Sequence, residues 1–180
     1  MFKGERIKLR KLTSADTETY HRWRNNDEVM RFTNPSLDKY TYKETEEYIE
    51  NLLESPSSKS YLIELIQSKK PLGVTSLINI DYKNRNAECI IDIGEHEYWG
   101  SGYGTEALQL LINYSFMELN LHKVYLRVFS FNERAISLYE KMGFRIEGEQ
   151  LDQIYREGSW HNIVMMAVFQ KNFLDKGNDD

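Results

Sequence analysis

The chain has 180 residues, 41% of them apolar and 28% charged, enough for one ordinary domain with a sizeable core and too apolar for a disordered chain. Its single cysteine, Cys89, excludes a disulfide framework and a cysteine-based zinc site. The net charge of −5, from 28 acids against 23 bases, argues against a nucleic-acid partner, and no apolar run approaches the roughly 18 residues of a membrane span. Met1-Phe2-Lys3-Gly4-Glu5-Arg6 has no apolar stretch of the kind a secretory signal carries, so a cytoplasmic protein is expected. Gly94, Gly100, Gly102 and Gly104, four of the ten glycines, crowd into one short segment.

Residues 6–12 alternate polar and apolar side chains, the pattern of a half-buried strand. Thr13 with Asp16 marks a helix start, although a full capping box would place Glu or Gln at the second position. That helix runs to about residue 24, with Tyr20 and Trp23 on one face. Thr41 with Glu44 is a complete capping box and opens a second helix through Ile49, Leu52 and Leu53. Residues 61–66 and 73–80 read as a hairpin around Ser68-Lys69-Lys70-Pro71, and residues 87–93 as a fourth strand. Beyond the glycines, Leu108, Leu111, Ile112, Ser115 and Leu119 recur at helical spacing. Residues 124–129 are a strand and 133–142 a short helix stopped by Gly143. Phe144 starts a strand that returns through Glu157-Gly158 into residues 164–169. The order β-α-α-β-β-β-α-β-α-β-β predicts an α/β fold, a mixed and mostly antiparallel sheet with helices on both faces. No repeat or linker divides the chain, so one domain is expected over residues 1–172, with 173–180 a polar tail.

Tyr98-Trp99-Gly100-Ser101-Gly102-Tyr103-Gly104-Thr105-Glu106-Ala107 joins the fourth strand to an apolar helix. Alternate glycines admit positive φ angles and a close approach of the backbone to a ligand. The first amides of a helix lack intrahelical acceptors and, with the helix dipole, suit an anion such as a pyrophosphate. A tight turn without a ligand is the alternative. A dinucleotide-binding Gly-x-Gly-x-x-Gly fails after Gly102, and no Gly-Lys-Ser/Thr follows to make a P-loop. His21, His96, His122 and His161 are scattered, so no metal site is expected.

Trp99-Gly100-Ser101-Gly102-Tyr103-Gly104 resembles the Gln/Arg-x-x-Gly-x-Gly/Ala acetyl-CoA motif of the GNAT N-acetyltransferases. Asn132-Glu133-Arg134-Ala135-Ile136-Ser137-Leu138-Tyr139-Glu140-Lys141-Met142-Gly143-Phe144 resembles their Asn-x-x-Ala-x-x-Leu-Tyr-x-x-x-Gly-Phe segment. With the strand order, the resemblance spans about residues 3–172. Tyr20-x-x-Trp23, Asn25-Asn26-Asp27-Glu28-Val29-Met30 and Gly148-Glu149 are similar to the RimJ/RimL type, a group to which spermidine acetyltransferases are also similar. Trp99 replaces the usual Gln or Arg, so pyrophosphate binding by backbone amides is implied but side-chain help at that position is not.

The resemblance implies the GNAT fold and direct attack of a substrate amine on acetyl-CoA, the acetyl-donor cosubstrate, without a metal or an acyl-enzyme. It places the amides of Gly100, Ser101, Gly102, Tyr103, Gly104 and Thr105 on the pyrophosphate, and the main chain of Ile91, Asp92 and Ile93 along the pantetheine arm. It makes Asn132 a cofactor contact and Tyr139 the acid that protonates the leaving thiolate. Read on the residues alone, Asn132 is an N-cap for the helix that follows, and Tyr139 a helix aromatic packed on Phe144. Amines are protonated near neutral pH, so a carboxylate base is needed. Glu88 and Asp92, on one face of the fourth strand, are the candidates. The alternative for Glu88 is a pairing with Arg85 or an exposed position.

The acceptor side is read from the first two helices and residues 31–37 between them. Trp23, Glu28, Phe32, Asp38, Glu44, Glu46 and Glu47 would offer an aromatic and acidic surface to a cationic amine, unless the glutamates form the solvated face of the second helix. The expected function is acetyl transfer to a primary amine, either a small cationic amine such as a polyamine or a protein N-terminus. A non-catalytic acyl-CoA-binding regulatory module is the alternative. Met165, Met166, Val168 and Phe169 suit either the core or a face between copies in a homo-oligomer.

Overall fold

The computed structural model describes residues 1–176. Seven strands form one sheet: β1 (Ile7–Lys11), β2 (Lys59–Leu65), β3 (Pro71–Asp81), β4 (Asn86–Ile93), β5 (Lys123–Phe129), β6 (Arg145–Arg156) and β7 (Ser159–Phe169). Their spatial order is β1-β2-β3-β4-β5-β7-β6. Neighbours pair antiparallel except β4 and β5, which run parallel. The parallel register is short: Asn86 faces Lys123, Ala87 faces Val124 and Glu88 faces Tyr125. Past Glu88 both strands continue but no longer pair, so the main chain of β4 has no strand partner on that side, where only the Ile93 carbonyl is taken, by the Trp99 indole, among the described residues. This divergence positions the site.

Six helices flank the sheet: α1 (Thr17–Arg24), α2 (Asp27–Thr33), α3 (Tyr42–Glu54), α4 (Tyr103–Met117), α5 (Glu133–Lys141) and α6 (Gln170–Lys176). On one face α4 buries Leu108, Leu111, Ile112 and Phe116 against Ile7, Leu77, Val124 and Leu126. On the other, Trp23 of α1 packs with Leu12, Leu62 and Val74, and α3 adds Leu52. Strand alternation explains the division, since adjacent β2 residues Leu62 and Ile63 enter different clusters.

Three details depart from expectation. Residues 27–33 form α2 rather than part of a loop. Asn26 caps it by accepting from the Glu28 amide at 3.0 Å, acids occupy its first turn and Arg31 its last. Seven residues ending just before Pro35 are too few for a helical period to stand out. Asp16 does close a capping box, with the Thr13 amide donating to it at 2.9 Å. It can do so because the first turn, Ser14–Asp16, is a tighter 3-10 helix that a short side chain spans. Of the expected tail, residues 173–176 belong to α6, and 177–180 lie outside the described residues. Met166 and Val168 are fully buried beneath α4, so the core alternative holds for them; Met165 and Phe169 are half-buried.

Gly94, which follows β4, is set by packing. A methyl group there would overlap the buried indole of Trp23. Gly94→Ala is therefore expected to cost roughly 1–3 kcal/mol through displacement of that ring, read as a lowered midpoint in chemical denaturation with an unchanged slope.

Candidate active site

A cavity of about 620 Å³ fills the divergence of β4 and β5 and is closed by the start of α4 and one face of α5. Gly102 is the N-cap of α4 in the left-handed region at φ 84°, and Gly100 lies at φ 74°. L-residues enter this region at a cost, which explains glycine at these two positions. The amides of Tyr103, Gly104 and Thr105 open the helix and have no acceptor among the described residues.

The loop is held from a distant part of the chain. Arg6 donates from its Nε to Glu106 Oε2 at 2.9 Å and from a guanidinium nitrogen to the Ser101 carbonyl at 2.8 Å. Its own amide donates to Glu106 Oε1 at 2.9 Å. Burial pushes the Glu106 carboxyl up, but the hydrogen bonds from Arg6 and the Ile7 amide outweigh it and leave its pKa below the usual value. This latch joins residues a hundred positions apart, and no local sequence pattern announces it.

Most of the predicted ligand residues converge on the cavity: Ile91, Ile93, Gly100, Gly102, Gly104, Thr105 and Asn132 line it, as do Glu88, Asp92 and Tyr139. Ser101 and Tyr103 contribute no side chain. The Ser101 carbonyl is taken by Arg6, and the Tyr103 ring lies under the Arg6 guanidinium at 4.4 Å and against Tyr98. Asn132 caps α5, its side-chain oxygen accepting from the Ala135 amide at 3.3 Å, while it also borders the cavity. Trp99 donates its indole N–H to the Ile93 carbonyl at 2.7 Å and carries Arg134 over its ring at 4.4 Å. It thus braces the end of β4 where the family's usual residue would be polar.

Six of the seven expected acceptor residues lie elsewhere, and of these Asp38, Glu46 and Glu47 are exposed and do not line the cavity. Trp23 is buried in the core, 4% exposed, and donates to Glu95 at 2.8 Å. Glu44 spends its carboxylate on the amide and hydroxyl of Thr41. Glu28 is exposed, with His96 3.7 Å away, and does not line the cavity. For Trp23 the helix is legible but not that its face meets the sheet; Glu44 is claimed by its own capping box, and Glu28 lies on α2, which the sequence does not announce. Phe32 does line the cleft, edge-on to Trp99 at 6.0 Å.

The two candidate bases occupy different environments. Glu88 is buried and accepts from Arg127 Nε at 2.8 Å and from the Asn79 amide at 3.3 Å. Its partner is Arg127, across the parallel register, and not Arg85, which binds Asn120. Asp92 is half-buried at the floor of the cavity and accepts no hydrogen bond among the described residues, and burial alone pushes it up to about 7. Tyr139 packs on Phe144 with ring centres 5.8 Å apart and also borders the cavity. Burial, then Cys89 and Asp92, push its phenol well above the ordinary value, so it keeps its proton at neutral pH. Among the described residues no group of three or more His, Cys, Asp and Glu gathers in metal-binding geometry. No described helix is long and apolar enough to cross a membrane.

Bare helix-start amides facing the unpaired edge of a parted sheet define an acyl-CoA-binding fold, and a proton donor with an unpartnered carboxylate in the same cleft suits acyl transfer. The chain belongs to the family described as the acetyltransferase (GNAT) domain, whose model matches residues 6–145. It is 34% identical over 170 residues to a spermidine N(1)-acetyltransferase of Escherichia coli K12, covering 93% of this chain and 88% of that protein. A spermidine N(1)-acetyltransferase of Vibrio cholerae is 31% identical over 175 residues, 96% of this chain and 98% of that protein. The crystal structure of a Vibrio cholerae spermidine N-acetyltransferase with CoA and spermine superposes with a TM-score of 0.87 at 30% identity, covering 95% of this chain and 99% of that one. The chain is an acetyl-CoA-dependent amine N-acetyltransferase, and the cleft has the free amides and free strand edge that acetyl-CoA requires.

Proposed function

We propose that this enzyme acetylates a small cationic primary amine, with polyamines the leading class, and that Asp92 and Tyr139 move the protons. The observation that carries this reading is the Asp92 carboxylate, without a hydrogen-bond partner among the described residues, in the same cleft as Tyr139. Bound acetyl-CoA supplies the thioester carbon that the amine attacks. The amides of residues 103–105 hold its pyrophosphate, and the unpaired edge of β4 around Ile91 aligns its arm. Asp92, poised near neutrality, takes the proton of the incoming ammonium, and Tyr139 gives its proton to the departing thiolate. Asn132 keeps its side-chain N–H donors for the cofactor while its oxygen caps α5. The relatives named for spermidine support the polyamine class, and the negative net charge fits a cationic acceptor. The same reading makes this a cytoplasmic enzyme of the RimJ/RimL type. The test is thiol release from acetyl-CoA with spermidine, aminoglycosides, amino-sugar nucleotides and N-terminal peptides. Release with none of them would return the chain to a binding role.

Glu88 is assigned to structure on this reading, because its oxygens are committed to Arg127 and Asn79. Glu88→Gln is expected to leave the acidic limb of the pH–rate profile where it stands. A limb that disappears in this variant would restore Glu88 as the base.

A further inference from the structure

A second cavity, about 330 Å³, opens on the other face of the sheet between α1, α3 and strands β3 and β4. Tyr20 and Tyr48 form one wall, their rings parallel within 2° and 5.8 Å apart. Leu52 and Ile78 add apolar surface, and the amide of Asn51 stands at its border. Ile90 and Asp92 line both this cavity and the acetyl-CoA cleft. Both lie on β4 beyond Glu88, where β5 no longer pairs, so the sheet offers a gap between the two spaces where it would otherwise be a wall. The carboxylate at that gap accepts no hydrogen bond from the described residues. A half-buried carboxylate left this way is costly, and an ammonium group would bring it both opposite charge and N–H donors. The wall also holds Ser55, Ser58, Ser76 and Asn79, but its rings and the aliphatic Leu52, Val74, Ile78 and Ile90 give it a surface that suits methylene groups.

We propose that this second cavity is the acceptor site: a slim, unbranched primary amine enters between α1 and α3, lays its chain along Tyr20 and Tyr48, and presents its nitrogen at Asp92 to the thioester across the gap. The proposal rests on the acetyl-transfer reading above and adds to it the route and shape of the acceptor. The cavity is about half the volume of the cofactor cleft and walled by rings, which favours a single methylene chain over a branched, ring-bearing amine such as an aminoglycoside. The assignment also moves specificity away from Glu28 and Glu44, to α3 residues one turn or more further along.

The experiment uses the full-length enzyme with spermidine and n-butylamine as probes, comparing the unsubstituted protein with Asn51→Trp, which fills the cavity from an exposed position, and Tyr48→Ala, which removes one wall. Thermal melting identifies folded variants before kinetics. The expected result is a KM for both amines raised at least about tenfold, with the KM for acetyl-CoA and its equilibrium binding within about twofold of the unsubstituted enzyme. An amine KM that moves less than about twofold in both folded variants overturns the proposal while leaving acetyl transfer intact. If the unsubstituted enzyme releases no thiol with any amine, the acetyl-transfer reading fails and this inference falls with it.

Discussion

Tyr139→Phe is expected to lower turnover by at least about tenfold while acetyl-CoA binding stays unchanged, since a positioned acid typically contributes 10² to 10⁴. The variant keeps the ring and its packing on Phe144, so stability is expected to stay within about 1 kcal/mol of the parent. Turnover and binding should therefore separate cleanly. The hydroxyl matters only as the thiolate leaves, which places its loss in kcat and spares the equilibrium constant for the cofactor. Because the phenol is pushed up by burial, Cys89 and Asp92, the tyrosine stays protonated through the neutral range. The basic side of the pH–rate profile should then show no loss of activity from its ionisation below about pH 10. Stopped assays for free thiol, together with calorimetric titration of acetyl-CoA, measure both quantities. Full turnover in the phenylalanine variant would remove Tyr139 as the acid.

Asp92→Asn is expected to cost about 10² in kcat/KM and yet to stabilise the protein above neutrality. Burial raises the folded-state pKa of Asp92 to about 7, above the value of about 3.9 for an unfolded chain. The folded protein therefore holds this proton more tightly than the unfolded one, and its stability falls as pH rises from about 4 to about 7. Above that window the native carboxylate is charged in a poorly solvated site. Asparagine, neutral throughout, escapes the loss. The expected gain at pH 8 is roughly 1–3 kcal/mol, discounted from the full shift because water reaches the cavity floor, and it shrinks toward nothing near pH 4. The acidic limb near pH 7 in kcat/KM should vanish with the carboxylate. Denaturant midpoints at pH 5 and pH 8, with the pH–rate profile of residual activity, test both effects. Equal midpoint shifts at the two pH values, with the limb retained, would count against Asp92 as the ionising group.

The two effects have one cause. A carboxylate whose oxygens are committed, as those of Glu88 are to Arg127 and Asn79, is not free to take a proton from a substrate. Asp92 lacks such partners, which makes it both a liability to the fold and a suitable proton acceptor. Sequence could not separate them, because the two acids share one face of one strand and differ only in what lies across the parallel register. Arg127 reaches Glu88 from β5, 39 positions away, at the last paired position before the strands diverge.

Local spacing by itself determined the order of the strands and of the helices other than α2 and α6, the glycine turn that opens α4, the Thr41–Glu44 cap and the run from Asn132 to Phe144 that carries Tyr139. These features depend on neighbours within a turn or two, so their residue types declare them. Only the tertiary structure decided that β4 and β5 part after Glu88, that Arg6 latches Glu106, that Trp23 belongs to the core, and that Asp92 stands between two cavities without a partner. Each of these turns on which side of an element meets another part of the chain, and on which polar groups are left unpaired when it does. The net charge of −5 stands with the first set in its legibility, but the carboxylate that uses charge for chemistry was singled out by burial.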